Sequence, residues 1–143
     1  MPKFDPFLRE VIKYAFDAIA DNMALTLMRT SHSGIVRDSL DFSTALSDAT
    51  GQTIAQGVCT PMHLGCFQDA LKTVINSFKE KIYQDDVFIF NDPFAAAGQH
   101  LPDIYITSPV FRNSRIVAWA TALAHHSDVG GIVAGSNALG AHE

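Results

Sequence analysis

At 143 residues, with 48% apolar and only 17% charged side chains, the chain suits one domain with a real core and is too short for two. A net charge of −5, with lysines and arginines scattered along the sequence, argues against nucleic acid or an anionic membrane as the main ligand. The amino terminus MPKFDPFLRE lacks a signal-peptide pattern and no apolar run approaches the roughly 20 residues of a spanning helix, so a cytoplasmic protein is expected, its weakly charged surface partly covered by a partner.

The first predicted element is a helix from Pro6 to about Arg29. Leu8, Val11, Ile12, Ala15, Phe16, Ile19, Ala20, Met23 and Leu27 recur in steps of three and four, while Arg9, Glu10, Lys13, Asp17 and Asp21 take the other face. Asp5 suits the cap and Pro6 the first turn. Ser31, Ser33 and Gly34 break the pattern and leave His32 near a loop. Two short β-type runs, Thr44 to Leu46 and Thr53 to Ala55, flank the turn residues of DATGQ and predict an antiparallel hairpin.

In VCTPMHLGC, Cys59 and Cys66 read as reduced, buried thiols; Cys59 with His63 is half of a zinc knuckle whose other pair is missing. Leu64, Phe67, Leu71, Val74, Ile75 and Phe78 restore helical spacing and predict a second amphipathic helix up to Lys81. The run from Val87 to Phe90 in DDVFIFNDP predicts a buried strand ended by Asn91, Asp92 and Pro93. AAAGQ, from Ala95 to Gln99, is small enough for close backbone approach to a ligand, with a plain loop the simpler alternative.

DIYITSPVF and RIVAWATALAH flank RNSR, so Asn113 and Ser114 are natural turn residues between two strands. A two-residue loop pairs Arg112 with Arg115, and counting back in step brings Asp103 opposite Ala124 and Pro102 opposite His125. In that register Ile104, Ile106, Val110, Val117, Trp119, Leu123 and His125 share one face, whereas Asp103 shares the other with His126. A bulge, a three-residue loop or a bend after Ala124 would bring His125 round instead, and pattern leaves both open. With hairpins outnumbering any βαβ signal, the expected fold is α+β: a largely antiparallel sheet of hairpins partly covered by two amphipathic helices.

The polar residues gather at the open end of that last hairpin. His100 and Asp103 form HLPD, where Pro102 interrupts pairing and Gly98 lets the chain turn, so both heads can converge. Imidazole nitrogen and carboxylate oxygen suit Zn²⁺, Mn²⁺ or Fe²⁺, and three protein ligands leave positions open for water or substrate. Asp128 or His126 could orient a ligand from behind. The competing structural role is that these side chains satisfy one another at a strand end. The chain carries no P-loop or other phosphate cradle.

In their joint order, SHSGIVRDSLDFSTALSDATGQTIAQ, TPMHLG, DVFIFNDPF, HLPDIYITSPVF and AHHSDVGG resemble the B-type subunits of hydantoinases, N-methylhydantoinase among them. The related acetone and acetophenone carboxylase subunits and the corresponding half of 5-oxoprolinase share the likeness, which covers Thr30 to Gly131. Those subunits run to several hundred residues, so residues 1–143 are expected to be an amino-terminal fragment of such a domain.

The resemblance implies ATP-dependent chemistry shared with a hydantoinase A-type subunit that binds ATP and activates a carbonyl or lactam oxygen. The B-type subunit then completes hydrolysis or carboxylation at a divalent metal (Mn, Zn or Fe). Carried over position by position, the metal ligands fall on His100, Asp103 and His125, which favours a bend over the strict register. Where the family usually has GGTH this chain has AGQH, which keeps His100 and alters the adjoining loop.

Asn91 and Asp92 are candidates to line the same pocket, with strand-end capping as the competing role; Arg37 and Asp38 are candidates for substrate or subunit contact, with a surface ion pair as theirs. The leading expectation is a hydrolase subunit, in a hetero-oligomer, that opens a five-membered cyclic amide such as a hydantoin or oxoproline. The alternatives are a ketone carboxylase subunit and a non-catalytic assembly module. The sequence names no acid, base or nucleophile.

Overall fold

The computed structural model describes residues 5–58, 60–63, 65–96, 99–136 and 138–140. The readings placed on Cys59, Leu64 and Gly98 fall outside the described residues. Among the described residues no helix is long and apolar enough to cross a membrane.

Helix α1 (Pro6–Thr30) starts as its first residues require: Asp5 Oδ1 accepts the Phe7 amide at 3.0 Å and Pro6 occupies the first turn. It ends where the Ser31 amide donates to the Leu27 carbonyl oxygen. The expected stripe is covered in part and only from Phe16 onward: Ala20 and Ala24 are buried and Phe16, Met23, Leu27 and Met28 pack beside them, while Ile19 stays exposed. Leu8 and Val11 of the same stripe are exposed. Length explains this, since 25 helical residues span about 37 Å, against about 23 Å for the seven residues of the strand the helix packs on.

A one-turn helix not foreseen in the sequence, α2 (Gly34–Arg37), follows and buries Val36 against Ala24 and Phe42. The predicted first hairpin is present as β1 (Phe42–Asp48) and β2 (Thr53–Gln56). Asp48 Oδ1 ties its turn by accepting the Thr50 hydroxyl and the Thr50 and Gln52 amides. Where the chain leaves β2 it passes tightly under α1: a Cβ on Gly57 would meet the Thr44 hydroxyl oxygen and the Ala20 carbonyl oxygen. After a 3₁₀ turn over Pro61–His63, the second amphipathic helix forms as α3 (Phe67–Phe78), burying Phe67, Ala70, Leu71 and Val74.

The remaining strands are β3 (Phe88–Phe90), β4 (Asp103–Arg112) and β5 (Arg115–His125). All five make one antiparallel sheet in the order β2-β1-β5-β4-β3. The fold is therefore α+β, as expected. Helix α1 packs on one face, against Phe42, Leu46, Ala120 and Ala124; α3 packs on the other, where Phe67 and Ala70 meet Ala45, Tyr105 and Leu123. Strand β1, covered on both faces, is buried from Phe42 through Ser47.

Two strand expectations change. The apolar run at 87–90 is an edge strand and not a buried one: Phe88 and Phe90 are half-buried, stacking towards Trp119 and Tyr105, and Ile89 is 68% exposed. In the β4–β5 hairpin, Asn113 and Ser114 both take the left-handed conformation, φ 50° and 61°, as a two-residue turn matched to strand twist requires. Arg112 pairs with Arg115 and Phe111 with Ile116, but Val110 pairs with Ala118, because Val117 is an extra, bulged residue.

Every pair beyond the bulge is displaced by one. Asp103 faces His125, Tyr105 faces Leu123 and Thr107 faces Thr121. The face against α3 thus carries Asp103, Tyr105, Thr107 and Pro109 with Trp119, Thr121, Leu123 and His125, all buried. Ile104, Ile106 and Val110, expected to share a face with Trp119 and Leu123, lie on the opposite one.

Candidate metal centre

The bulge is what brings the candidate ligands together. Asp103 opens β4, His125 closes β5 directly opposite, and His100 stands in the turn before β4, where the Asp103 amide donates to the His100 carbonyl oxygen at 3.0 Å. Backbone bonds pin this mouth from both sides: the His125 amide donates to the Asp41 carbonyl oxygen at 3.1 Å and the His126 amide to that of Pro102 at 2.8 Å.

One donor atom from each of His100, Asp103 and His125 lies within 4.8 Å of the others. Bond lengths of about 2.0–2.2 Å allow donors on one ion to sit at most about 4.4 Å apart, so a slight contraction suffices. His100 Nε2 stands 3.5 Å from Asp103 Oδ2, and the His100 and His125 rings are 4.8 Å apart. Asp103 is 1% exposed, and Asp103 Oδ1 and His125 Nδ1 are buried with no hydrogen-bond partner among the described residues. Leaving a buried carboxylate oxygen and an imidazole nitrogen unpaired is costly. Burial pushes the Asp103 carboxyl above its ordinary value, against the pull of His100, His63 and His125. A divalent cation is the kind of group this donor set fits, because two imidazoles and a carboxylate are suitable ligands and such an ion would offset the buried charge.

Beside these three lies a pair that sequence reasoning missed. His63, fully buried, directs Nδ1 to the Ser43 hydroxyl at 2.9 Å and Nε2 to Asp41 Oδ1 at 3.5 Å. Burial lowers its pKa even though the charges of Asp103 and Asp41 act to raise it, and His125 and His100 bear on it too. A lone His63 carried no sequence signal beyond the incomplete knuckle, because its neighbours arrive through the β1–β5 pairing. Tyr105 points a buried, unpartnered hydroxyl into the same interior; burial, with Cys66 and Asp103 nearby, raises its pKa.

The other candidates have local roles. Asn91 Nδ2 donates to the Leu101 carbonyl oxygen at 2.8 Å and so braces the turn that carries His100. Asp92 accepts the Phe94 and Ala95 amides, which lower its pKa, and borders an apolar cavity of about 610 Å³ between α3 and β3 that the three clustered residues do not line. Asp128 turns back onto the Gly130 amide, and the His126 side chain is exposed. Arg37 and Asp38 form an exposed ion pair with each other at 3.0 Å, and His32 is exposed. Gln99 Nε2 donates to the Met62 carbonyl oxygen at 2.7 Å, joining the turn before β4 to the one that holds His63.

A sequence profile described as Hydantoinase B/oxoprolinase matches residues 5–143. The chain belongs to the hydantoinase B/oxoprolinase family. It is 34% identical over 134 residues to a 5-oxoprolinase of Dictyostelium discoideum, covering 94% of this chain and 10% of that protein. It is 37% identical over 133 residues to the caprolactamase subunit beta of Pseudomonas jessenii, covering 93% of this chain and 23% of the subunit. The crystal structure of that organism's ATP-dependent caprolactamase superposes with a TM-score of 0.82 at 34% identity over 92% of this chain and 22% of the other. A nucleotide-free acetone carboxylase structure shares the fold, with a TM-score of 0.82 at 22% identity over 90% of this chain and 17% of that one. The chain thus spans less than a quarter of the length of these family members.

Proposed function

We propose that this chain supplies the metal-binding part of an ATP-dependent enzyme that opens a cyclic amide, preferably a five-membered one, with His100, Asp103 and His125 as the ligands of a divalent ion, Mn, Zn or Fe. The observation that carries the reading is the pair of orphaned buried atoms, Asp103 Oδ1 and His125 Nδ1, at the mouth of the hairpin. The relatives named for 5-oxoproline and caprolactam support the substrate class, and the name of the ATP-dependent caprolactamase supports the use of ATP. ATP is assigned to a separate hydantoinase A-type subunit, consistent with the relative's designation as a beta subunit.

A divalent ion held by these residues would polarise a carbonyl and lower the pKa of a bound water to roughly 7, which is the chemistry ring opening needs. The protein's own share is positional. His100, 37% exposed by side chain, is the ligand open to solvent and incoming substrate, whereas Asp103 and His125 are set back in the sheet. Asn91 and Gln99 hold the turn that carries His100. Asp128 and His126 are exposed just past the end of β5, and in this reading they contact the substrate.

The test is metal analysis of the full-length subunit in complex with its partner, comparing wild type with His100→Ala and Asp103→Ala. Each variant is expected to lose bound metal and ATP-dependent lactam hydrolysis together; equal metal content in all three would remove the proposal. ATP-dependent fixation of bicarbonate into a ketone, with no ring opening, would replace the hydrolase by a carboxylase. A tight complex with no metal and neither activity would leave an assembly module.

A further inference from the structure

A chain of hydrogen bonds runs from His125 to the neighbour of His100 without using the side chain of either. It starts at the His125 amide, which donates to the Asp41 carbonyl oxygen at 3.1 Å. Asp41 lies in the stretch 40–43, which is stitched to the stretch 60–63. The Thr60 hydroxyl donates to the Leu40 carbonyl oxygen at 2.8 Å, and the Thr60 amide donates to that of Phe42 at 3.2 Å. Ser43 Oγ stands 2.9 Å from His63 Nδ1, a bond that a hydroxyl makes as donor or acceptor, whichever ring nitrogen carries the proton. The path leaves through Met62, whose carbonyl oxygen accepts Gln99 Nε2 at 2.7 Å, and Gln99 adjoins His100.

The 3₁₀ turn Pro61–His63 is thus a brace between the two segments that carry the histidines, made from a part of the sequence that supplies none of the three candidate ligands. His63 stiffens it, because its side chain is 2% exposed and breaking its bond to Ser43 would strand polar atoms in the interior.

The candidate ligands need such a brace. Their donors lie within 4.8 Å of one another, against at most about 4.4 Å on a common ion, and tight binding requires ligand positions held to about 0.5 Å. Asp103 and His125 are fixed to each other as paired residues of β4 and β5, whereas His100 stands in the turn before β4, and its distance from His125 depends on what holds that turn. Asn91 holds it through Leu101, and Gln99 ties it to the brace. We infer that the path through His63 and Gln99 sets the spacing of His100 from His125, which makes both of them positioning residues for metal binding. The inference rests on the metal reading above and deepens it.

The test is titration of the metal-stripped full-length subunit, in complex with its partner, with Co²⁺ followed by visible absorption, and the urea midpoint measured in chelator alongside. His63→Ala and Gln99→Ala keep all three candidate ligands. Each is expected to weaken Co²⁺ binding by about tenfold, the lower end of what losing the supports of metal ligands costs. Because the two residues act in series along one path, the double variant is expected to bind about as weakly as the weaker single variant, rather than about a hundredfold more weakly than wild type. Should His63→Ala fail to fold, Gln99→Ala decides alone, since Gln99 is only half-buried and its loss is expected to leave the urea midpoint nearly unchanged. Unaltered affinity in Gln99→Ala, a lower midpoint without weaker Co²⁺ binding in His63→Ala, or additive losses in the double variant would each overturn the inference and spare the metal site. A wild type that binds no Co²⁺ would overturn both.

Discussion

The two ends of the β4–β5 hairpin are built on opposite terms. At the closed end, Asn113 and Ser114 supply a left-handed turn from adjacent residues, and the flanking Arg112 and Arg115 face each other in solvent. At the open end, Asp103 and His125 meet beside His100, with His63 and Asp41 close by, residues drawn from several separate stretches of chain. The closed end satisfies its own backbone and is indifferent to the rest of the fold. The open end buries unpaired polar atoms that the rest of the fold must hold in place. Local chemistry makes an inexpensive turn, and long-range packing makes a buried polar cluster.

The largest expected effect lies between the ends, at the residue that ties the hairpin to the core. Trp119 is fully buried and its ring packs 6.2 Å from that of Phe88. Trp119→Ala is expected to cost about 3–5 kcal/mol, read as a lower midpoint in urea unfolding, with the fold at both ends suffering together.

A smaller effect of opposite sign tests the strain at the open end. In the metal-free protein at pH 7, Asp103→Asn is expected to raise stability by about 1–3 kcal/mol, because it removes a buried, incompletely paired carboxylate. The sign with pH follows from the direction of its shift. A carboxyl whose pKa is raised on folding stabilises the fold most when protonated and loses that contribution as pH rises above its ordinary value of 3.8. The advantage of the variant should therefore shrink as the pH is lowered towards 4. An advantage that is constant with pH, or a variant less stable than wild type in the presence of chelator, would contradict the assignment.

The smallest effect belongs to the closed end. Ser114 holds φ 61°, a conformation that glycine adopts without steric penalty, so Ser114→Gly is expected to stabilise by roughly 0.5–1 kcal/mol and to leave metal content unchanged. A change in metal content would show that the two ends are coupled more tightly than their construction implies.

Much of this organisation was legible beforehand. Asp5 and Pro6 announced α1, DATGQ the first hairpin, and Asn113-Ser114 the second, because caps and turns depend on a few adjacent backbone amides and on φ values that few residues tolerate. The convergence of HLPD on AHHSD followed from a hairpin joining them. Which histidine faces Asp103 did not follow, since Val117 is an apolar residue in an apolar strand and nothing in its identity marks it as bulged. The same limit hid His63 and Asp41, each unremarkable until β1 pairs with β5.

The chain's own order of residues settled the hairpins, the helix starts and the polar composition of the open end, for these depend on interactions between near neighbours. The face that each strand turns to α1 or α3, the exposure of β3, the meeting of Asp103 with His125 and the contact of His63 with Asp41 beside them arose only on folding. A single bulged residue reverses the side on which every later side chain falls, and that choice is made by packing of the whole sheet, where the energies of distant contacts are weighed together.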